Sequence, residues 1–249
     1  MRVELGAATE QLLDQLLART PPVWRSTTAA IDRRFSLAVA VRPDDRFALA
    51  QDDQTVLGDA DLHSALVAFE RRLKLFIAER ARRRVFVHAG AVGWDGGAIV
   101  VPGRSTHGKT SLVAELVRRG ATYYSDEYAV FDGCGRLHPY PVPLAIRLPG
   151  SQRQRRCPVE SLGGRAGSRP LPVRLVLISR YRAGAPWEPR QLTPGQAVLE
   201  LLEHAVAARH KPRIVVRTLE AATRDARILK GARGEAREVA PRLLALLGA

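Results

Sequence analysis

Gly103-Arg-Ser-Thr-His-Gly-Lys-Thr110 is the stretch whose reading decides the fold, because it matches Gly-x4-Gly-Lys-Thr. Ahead of it, Ala98-Ile-Val-Val101 is a short apolar run of the kind a buried strand shows. Behind it, Ser111-Leu-Val-Ala-Glu-Leu-Val-Arg-Arg119 has the spacing of an amphipathic helix that stops at Gly120. A strand before and a helix after are what such a pattern needs to mean a phosphate-binding loop. Gly103 and Gly108 allow the backbone to curl so that successive N–H groups point inward at a phosphate chain. The helix that opens near Lys109 adds the positive end of its dipole. On this reading Gly103, Arg104, Ser105, Thr106, His107, Gly108, Lys109, Thr110 and Ser111 cradle the phosphates of ATP. Lys109 reaches the β- and γ-phosphates, and the Thr110 hydroxyl ligates Mg²⁺.

Geometry brings further residues to this loop. A helix from Thr110 to Arg119 climbs roughly 15 Å, and the β-type run Ala121-Thr-Tyr-Tyr-Ser125 returns roughly 16 Å. The residues delivered to the mouth of the loop are Asp126 and Glu127, and adjacent acids there suit metal holding and proton abstraction. Upstream, Trp94-Asp-Gly-Gly97 has a two-residue hairpin turn at Asp95-Gly96. Stepping back along that ladder sets His88 opposite Gly103, which makes this histidine a site candidate instead of a plain core residue.

From His88 to Asp132 the chain resembles the catalytic core of HPr kinase/phosphorylase, within the superfamily shared with phosphoenolpyruvate carboxykinases. That family carries a histidine on the strand before the loop, then Gly-x4-Gly-Lys-Ser/Thr, then a pair of acids after one helix and one strand. His-Ala-Gly-Ala-Val, Ser-Asp-Glu-Tyr and Pro139-Tyr-Pro-Val-Pro-Leu-Ala-Ile-Arg147 are closer still to a branch of short, stand-alone HPr kinase-like proteins. Some of these are similar to kinases of peptide precursors. The likeness is sharp between His88 and Arg147, looser beyond, and absent from the first region of the chain.

The resemblance implies an α/β fold: a phosphate-loop kinase core of the HPr kinase C-terminal-domain type, a mixed sheet flanked by helices. It assigns Asp126 as base for the accepting hydroxyl, Glu127 with Thr110 as metal holders, and His88 as support for Asp126 or the transferring phosphate, with Lys109 completing the catalytic set. The expected cofactors are ATP and Mg²⁺. The expected reaction is transfer of the γ-phosphoryl to a hydroxyl, a serine of a peptide or protein. The sequence also departs from the bifunctional enzymes. Its second acid is Glu where they carry Asp, its loop filler Arg104, Thr106 and His107 is bulkier, and their later Glu-x-Arg-Gly signature is unmatched. Kinase chemistry is therefore expected without phosphorylase activity. Two other readings stay open, a small-molecule kinase acting on a metabolite such as free serine, and a non-catalytic ATP-binding regulatory module. The bifunctional relatives form hexamers, so a homo-oligomer belongs to the resemblance, although no stretch here reads as an interface.

Composition bounds these readings. With 249 residues, 46% of them hydrophobic, the chain can build a substantial core. No apolar run approaches the roughly 20 residues of a membrane span, and the start Met-Arg-Val-Glu-Leu-Gly lacks a signal-peptide h-region. Cys134 and Cys157 have no metal-like or redox spacing, so a cytoplasmic protein without membrane partners or disulfides is expected. The formal charge of +14 suggests a polyanionic partner. Arg71-Arg72, Arg82-Arg83-Arg84 and Arg153-Gln-Arg-Arg156 are not interleaved with aromatics as in single-strand binders. An acidic peptide or protein accounts for the charge at least as well as nucleic acid, which is disfavoured.

The remaining chain reads in order. Residues 1–84 organise as helix, hairpin and helix, a small α+β subdomain ahead of a phosphate-loop domain over 85–249. Leu12, Leu13, Leu16 and Leu17 give a helical stripe; 35–41 and 46–50 read as strands; Asp61 caps a longer helix. Four prolines between 139 and 149 make that segment an ordered loop or an edge, with Arg147 as a phosphate or substrate contact. Residues 151–170, polar and Arg/Gly-rich, read as a loose loop near the site. Val173-Arg-Leu-Val-Leu-Ile-Ser179 is a buried strand, and Arg180 and Arg182 follow its end as further phosphate contacts. Thr193-Pro-Gly-Gln196 is a capping box. A helix, a second helix, a strand at 226–229 and a terminal helix complete the pattern.

Overall fold

The computed structural model describes residues 2–20, 25, 27–39, 46–103, 108–147 and 154–248. Its contacts divide the chain into two units, Met1–Ala81 and Arg82–Ala249. In the first, β1 (Val3–Ala7), α1 (Glu10–Leu17), β2 (Arg33–Val39), β3 (Phe47–Gln51), β4 (Gln54–Ala60) and α2 (Leu62–Arg80) follow one another. The strands form one sheet in the order β1-β2-β3-β4, with β1 and β2 parallel and the rest antiparallel. The sequence pattern announces α1, the central hairpin strands and α2 but not β1 or β4. The turn into β4 is made by Asp52 and Asp53, both with positive φ (48° and 64°). It uses the left-handed geometry of a tight hairpin without the glycine that signals it. Asp61 caps α2, its carboxylate accepting from the Ser64 N–H at 2.9 Å.

The second unit is built on a mixed eight-stranded sheet. Its strands are β5 (Val85–Trp94), β6 (Gly97–Pro102), β7 (Thr122–Ser125), β8 (Tyr128–Phe131), β9 (Leu137–His138), β12 (Val173–Tyr181), β13 (Arg190–Gln191) and β14 (Arg227–Arg233). Their order is β13-β14-β12-β6-β5-β8-β9, with β7 also paired to β5. The helices are α3 (Lys109–Arg118), α4 (Pro194–Leu202), α5 (Pro212–Thr223) and α6 (Ala236–Ala245), and a separate ribbon joins β10 (Leu144–Arg147) to β11 (Gln154–Cys157).

β6 is buried along its whole length, as a central strand covered on both faces must be. On one face it supports Leu112, Val113, Leu116 and Val117 of α3 with Val239, Leu243 and Leu244 of α6. On the other lie Ala197, Val198 and Leu201 of α4 with Val215, Leu219 and Ala222 of α5. Each buried valine or leucine among them contributes about 1.5–3 kcal/mol, and each alanine roughly 0.8 kcal/mol. α4 begins at the expected capping box, Thr193 and Gln196 bonding reciprocally.

Residues 154–171 are not loose. Tyr123 donates its N–H to the Arg165 carbonyl at 2.8 Å, Gly167 donates to the Tyr123 carbonyl at 2.7 Å, and Leu137 and Leu171 exchange bonds at 2.8 and 2.9 Å. A polar, arginine-rich composition hides this order, which comes from backbone pairing to β7 and β9 together with a few anchors, Cys157 and Val159 buried and Leu162 and Leu171 packed against the cores. Residues 151–153 of that segment lie outside the described residues.

Candidate functional site

Three parallel strands, β6, β12 and β14, end at the same edge of the sheet. That edge is where open α/β sheets place ligands. β6 delivers Gly103, β12 delivers Ser179, Arg180 and Tyr181, and β14 delivers Arg233. The interior of the loop, Arg104, Ser105, Thr106 and His107, lies outside the described residues. Its two ends are defined. Gly103 follows β6 and accepts a 2.5 Å hydrogen bond from the Lys109 ammonium, and Gly108 stands at the N-cap of α3 with φ 75°. Among the described residues no side chain caps this helix, which leaves its first N–H groups available to an anion.

The hairpin turn at Asp95-Gly96, with φ of 45° and 71°, sets the register of β5 against β6. Trp94 pairs Gly97 and Ala89 pairs Pro102, and the next step brings the Gly103 N–H to the His88 carbonyl at 3.3 Å. His88 itself is exposed; its ring lies 4.6 Å from that of Tyr128, and its N–H donates to the His204 carbonyl at 2.9 Å.

β5 also positions the two acids. It pairs with β7 along its later half and with β8 along its earlier half, and the chain crosses between them at Asp126 and Glu127. The Ser125 hydroxyl, almost fully buried, holds this crossing by accepting from the N–H groups of Glu127 (3.1 Å) and Tyr128 (3.0 Å). Ala89 donates to the Glu127 carbonyl at 3.2 Å. Gly90 lets α3 approach: a Cβ there would lie 2.5 Å from Val113 Cγ2, with Lys109 and Ser125 next nearest.

Asp126 is buried and heavily bonded. Its Oδ2 accepts from the Thr110 hydroxyl at 3.2 Å and from the Ala145 N–H at 3.1 Å. Its Oδ1 lies 3.1 Å from the Tyr123 hydroxyl, which also donates to the Val142 carbonyl at 2.7 Å and accepts from the Asp126 N–H at 3.1 Å. Burial, reinforced by the Asp126 carboxylate, pushes the Tyr123 hydroxyl far above its usual pKa. It therefore stays neutral, with its single proton shared between the Val142 carbonyl and the Asp126 carboxylate, while its oxygen anchors the Asp126 N–H. Lys109 is 8% exposed. Burial pushes its ammonium down from 10.5 to about 8, against the opposing pull of Asp126 and Glu127.

Thr110 and the carboxylates of Asp126 and Glu127 are hard oxygen donors of the sort Mg²⁺ takes. Among the described residues no group of three or more His, Cys, Asp or Glu side chains is gathered around a metal-sized space. The set therefore fits a cation that shares its coordination with phosphate oxygens and water more than one caged by protein. Thr110 is bonded to the first acid of the pair, whereas the family resemblance gives the metal to the second.

Beside Gly103 opens a cleft of about 710 Å³, lined among others by Ser179, Arg180, Arg190, Glu200, Glu203, His204 and Lys230. Arg180 thus faces a cleft continuous with the start of the loop. Arg182 is exposed and does not line it; its N–H ties β12 to β14 through the Arg233 carbonyl at 3.0 Å. Ser111 points outward on α3. Arg147 ends β10, opposite Gln154, and its side chain lies outside the described residues.

Arg233 is absent from the sequence reading. It is 1% exposed, donates from one terminal nitrogen to the Gly108 carbonyl at 2.6 Å, and stacks 5.7 Å from the Tyr181 ring centroid. Burial lowers its pKa from the usual arginine value, with Glu235 and Tyr181 opposing. No local pattern marks it, because its partner stands 125 residues earlier.

No protein-family model and no curated protein matches the chain. Among solved structures it is similar to the Hpr(Ser) kinase/phosphatase from Coxiella burnetii, at 15% identity over 66% of this chain and 93% of that one, with a TM-score of 0.35. At that score the likeness is weak. The described residues form a mixed α/β protein, and no helix among them is long and apolar enough to cross a membrane.

Proposed function

We propose that the chain is an Mg·ATP-dependent kinase that transfers the γ-phosphoryl group to a hydroxyl, a serine of a peptide or protein. The observation that carries this reading is the Thr110–Asp126 hydrogen bond, at 3.2 Å, beside a buried Lys109 at the start of α3. It joins a loop framed for phosphate to an acid held within reach of a reacting group. Lys109 and the first N–H groups of α3 bind the phosphate oxygens. Asp126, held by Tyr123 and Ala145, takes the proton of the acceptor hydroxyl as that oxygen bonds to the γ-phosphorus. The bond from that phosphorus to the bridging oxygen breaks, and ADP leaves with the electron pair. Thr110 and Glu127 would hold Mg²⁺, which when bound would supply neutralising positive charge to the phosphates. His88, on the strand beside Gly103, supports the transferring group. The peptide or protein acceptor rests on the resemblance of residues 88–147, and the cleft with Arg180 is where it would reach the loop.

Asp126→Asn tests the assignment: transfer falls at least a hundredfold, while ATP binding stays within a few-fold of wild type. Unchanged turnover would refute it. The bond from Thr110 to Asp126 also favours a second assignment, with Asp126 holding the metal through Thr110 and Glu127 acting as base. Titrating Mg²⁺ separates the two, since Asp126→Asn is rescued by high Mg²⁺ only if Asp126 holds metal.

A further inference from the structure

Arg233 is among the largest fully buried side chains of the described residues, yet every hydrogen-bond acceptor it has among them is neutral. One terminal nitrogen donates to the Gly108 carbonyl at 2.6 Å and the other to the Gly234 carbonyl at 3.0 Å. Its Nε is buried without a partner among the described residues. No carboxylate lies within 4 Å of it there, and the nearby Glu235 is engaged by the Tyr181 hydroxyl at 2.7 Å. A cation taken out of water is costly unless an anion compensates it. This one sits against the last glycine of the phosphate loop, at the positive end of α3.

The local backbone is built around the same contact. Gly108 has a left-handed φ of 75°, and a Cβ there would lie 2.6 Å from the Arg233 guanidinium and 3.3 Å from Tyr181 Cβ. The arginine thus occupies the space a side chain at 108 would need, and fixes the carbonyl that opens the helix. A second unsatisfied group lies at the same edge. The Ser179 hydroxyl is buried without a partner among the described residues, and it lines the cleft that Gly103 enters. Two strand ends therefore present unpaired donors beside a loop shaped for phosphate, an arrangement that favours an anion over an empty site.

We propose that Arg233 is the positioning residue of the phosphate site: it clamps the Gly108 carbonyl so that the start of α3 faces the ligand, and its charge, which the nearby Glu235 offsets only in part, is compensated further when a polyphosphate occupies the loop. The inference rests on the reading of Gly103–Thr110 as a phosphate loop, and it adds that β14 is coupled to occupancy of that loop. Ser179 contributes the second donor, from β12.

The experiment uses inorganic tripolyphosphate with Mg²⁺, without nucleoside, and reads both affinity and thermal midpoint for wild type, Arg233→Met, Arg233→Lys and Ser179→Ala. Wild type binds and its midpoint rises. Arg233→Met loses at least tenfold in affinity, while its ligand-free midpoint stays equal to or above wild type, because the only partly compensated buried charge is gone. A merely structural arginine would lower stability and affinity together. Arg233→Lys recovers part of the affinity, and Ser179→Ala loses a few-fold without change in the ligand-free midpoint. If Arg233→Met does not fold, wild-type affinity in both of the other variants overturns the proposal. Binding by wild type and Arg233→Met with equal affinity overturns it while leaving the kinase reading intact. Failure of wild type to bind tripolyphosphate removes the phosphate-loop reading itself, and this inference with it.

Discussion

Replacing Lys109 with Met isolates the electrostatic cost of the site. The ammonium is buried, and its pKa falls from 10.5 in the unfolded chain to about 8 in the folded one, burial outweighing the attraction of Asp126 and Glu127. The gap corresponds to about 3 kcal/mol. Because the folded value is the lower one, the unfolded chain holds the extra proton between about pH 8 and 10.5. Stability therefore rises with pH across that window: the cost is present in full below pH 8 and gone above 10.5. Met keeps the length of the side chain without the charge, so every other titration cancels in the difference between the two proteins. Urea unfolding of the ligand-free proteins without Mg²⁺, from pH 7 to 10.5, measures it. Wild type should gain about 3 kcal/mol relative to Lys109→Met over this range. Loss of the bond to Gly103 offsets the whole curve without changing its slope. A flat difference would refute the desolvated ammonium; a falling one would mean that the two acids dominate. The same physics makes phosphate binding above pH 8 take up a proton, so affinity falls as pH rises.

Two further substitutions test how the site is held. Tyr123→Phe leaves the Val142 carbonyl and the Asp126 N–H without their shared hydroxyl. It should cost about 1–3 kcal/mol and slow transfer roughly tenfold or more with nucleotide affinity little changed, measured by urea unfolding and initial rates. Unaltered rates would show that Asp126 needs no such support. Gly135→Ala places a Cβ 2.3 Å from the Ala222 backbone nitrogen at a φ of 79°. The neighbour is backbone and cannot swing away, so a loss of about 3 kcal/mol or more is expected, and an unshifted urea midpoint would contradict the packing of α5 against that turn.

The parts of the site that are local in sequence are legible in it. β6, the loop ends, α3, β7 and the two acids follow from periodicity and rise per residue, and Asp95-Gly96 alone fixes the register that brings Gly103 to His88. What escapes is what depends on distant partners. Arg233 ends a strand whose last residues, Lys230-Gly-Ala-Arg233, look like a polar exit, and only the parallel pairing of β14 with β12 carries it under Gly108. Ser179 closes an apolar run and gives no sign that its hydroxyl is left unpaired. The ordered course of 154–171 is invisible for the opposite reason, since its order comes from backbone bonds to Tyr123 and Leu137 and from a few scattered anchors such as Cys157 and Val159, which make no periodic pattern. β4 is hidden by a turn that uses two aspartates where glycine is the usual signal.

The central claim, phosphoryl transfer to a hydroxyl, is tested most directly by mass spectrometry of candidate acidic, serine-containing peptides incubated with the protein and Mg·ATP, beside a Lys109→Ala control. The account predicts a peptide that gains one phosphate on serine with wild type and none with the control. Equal phosphate gain in both would contradict it, and so would ATP bound tightly without transfer to any peptide or to free serine.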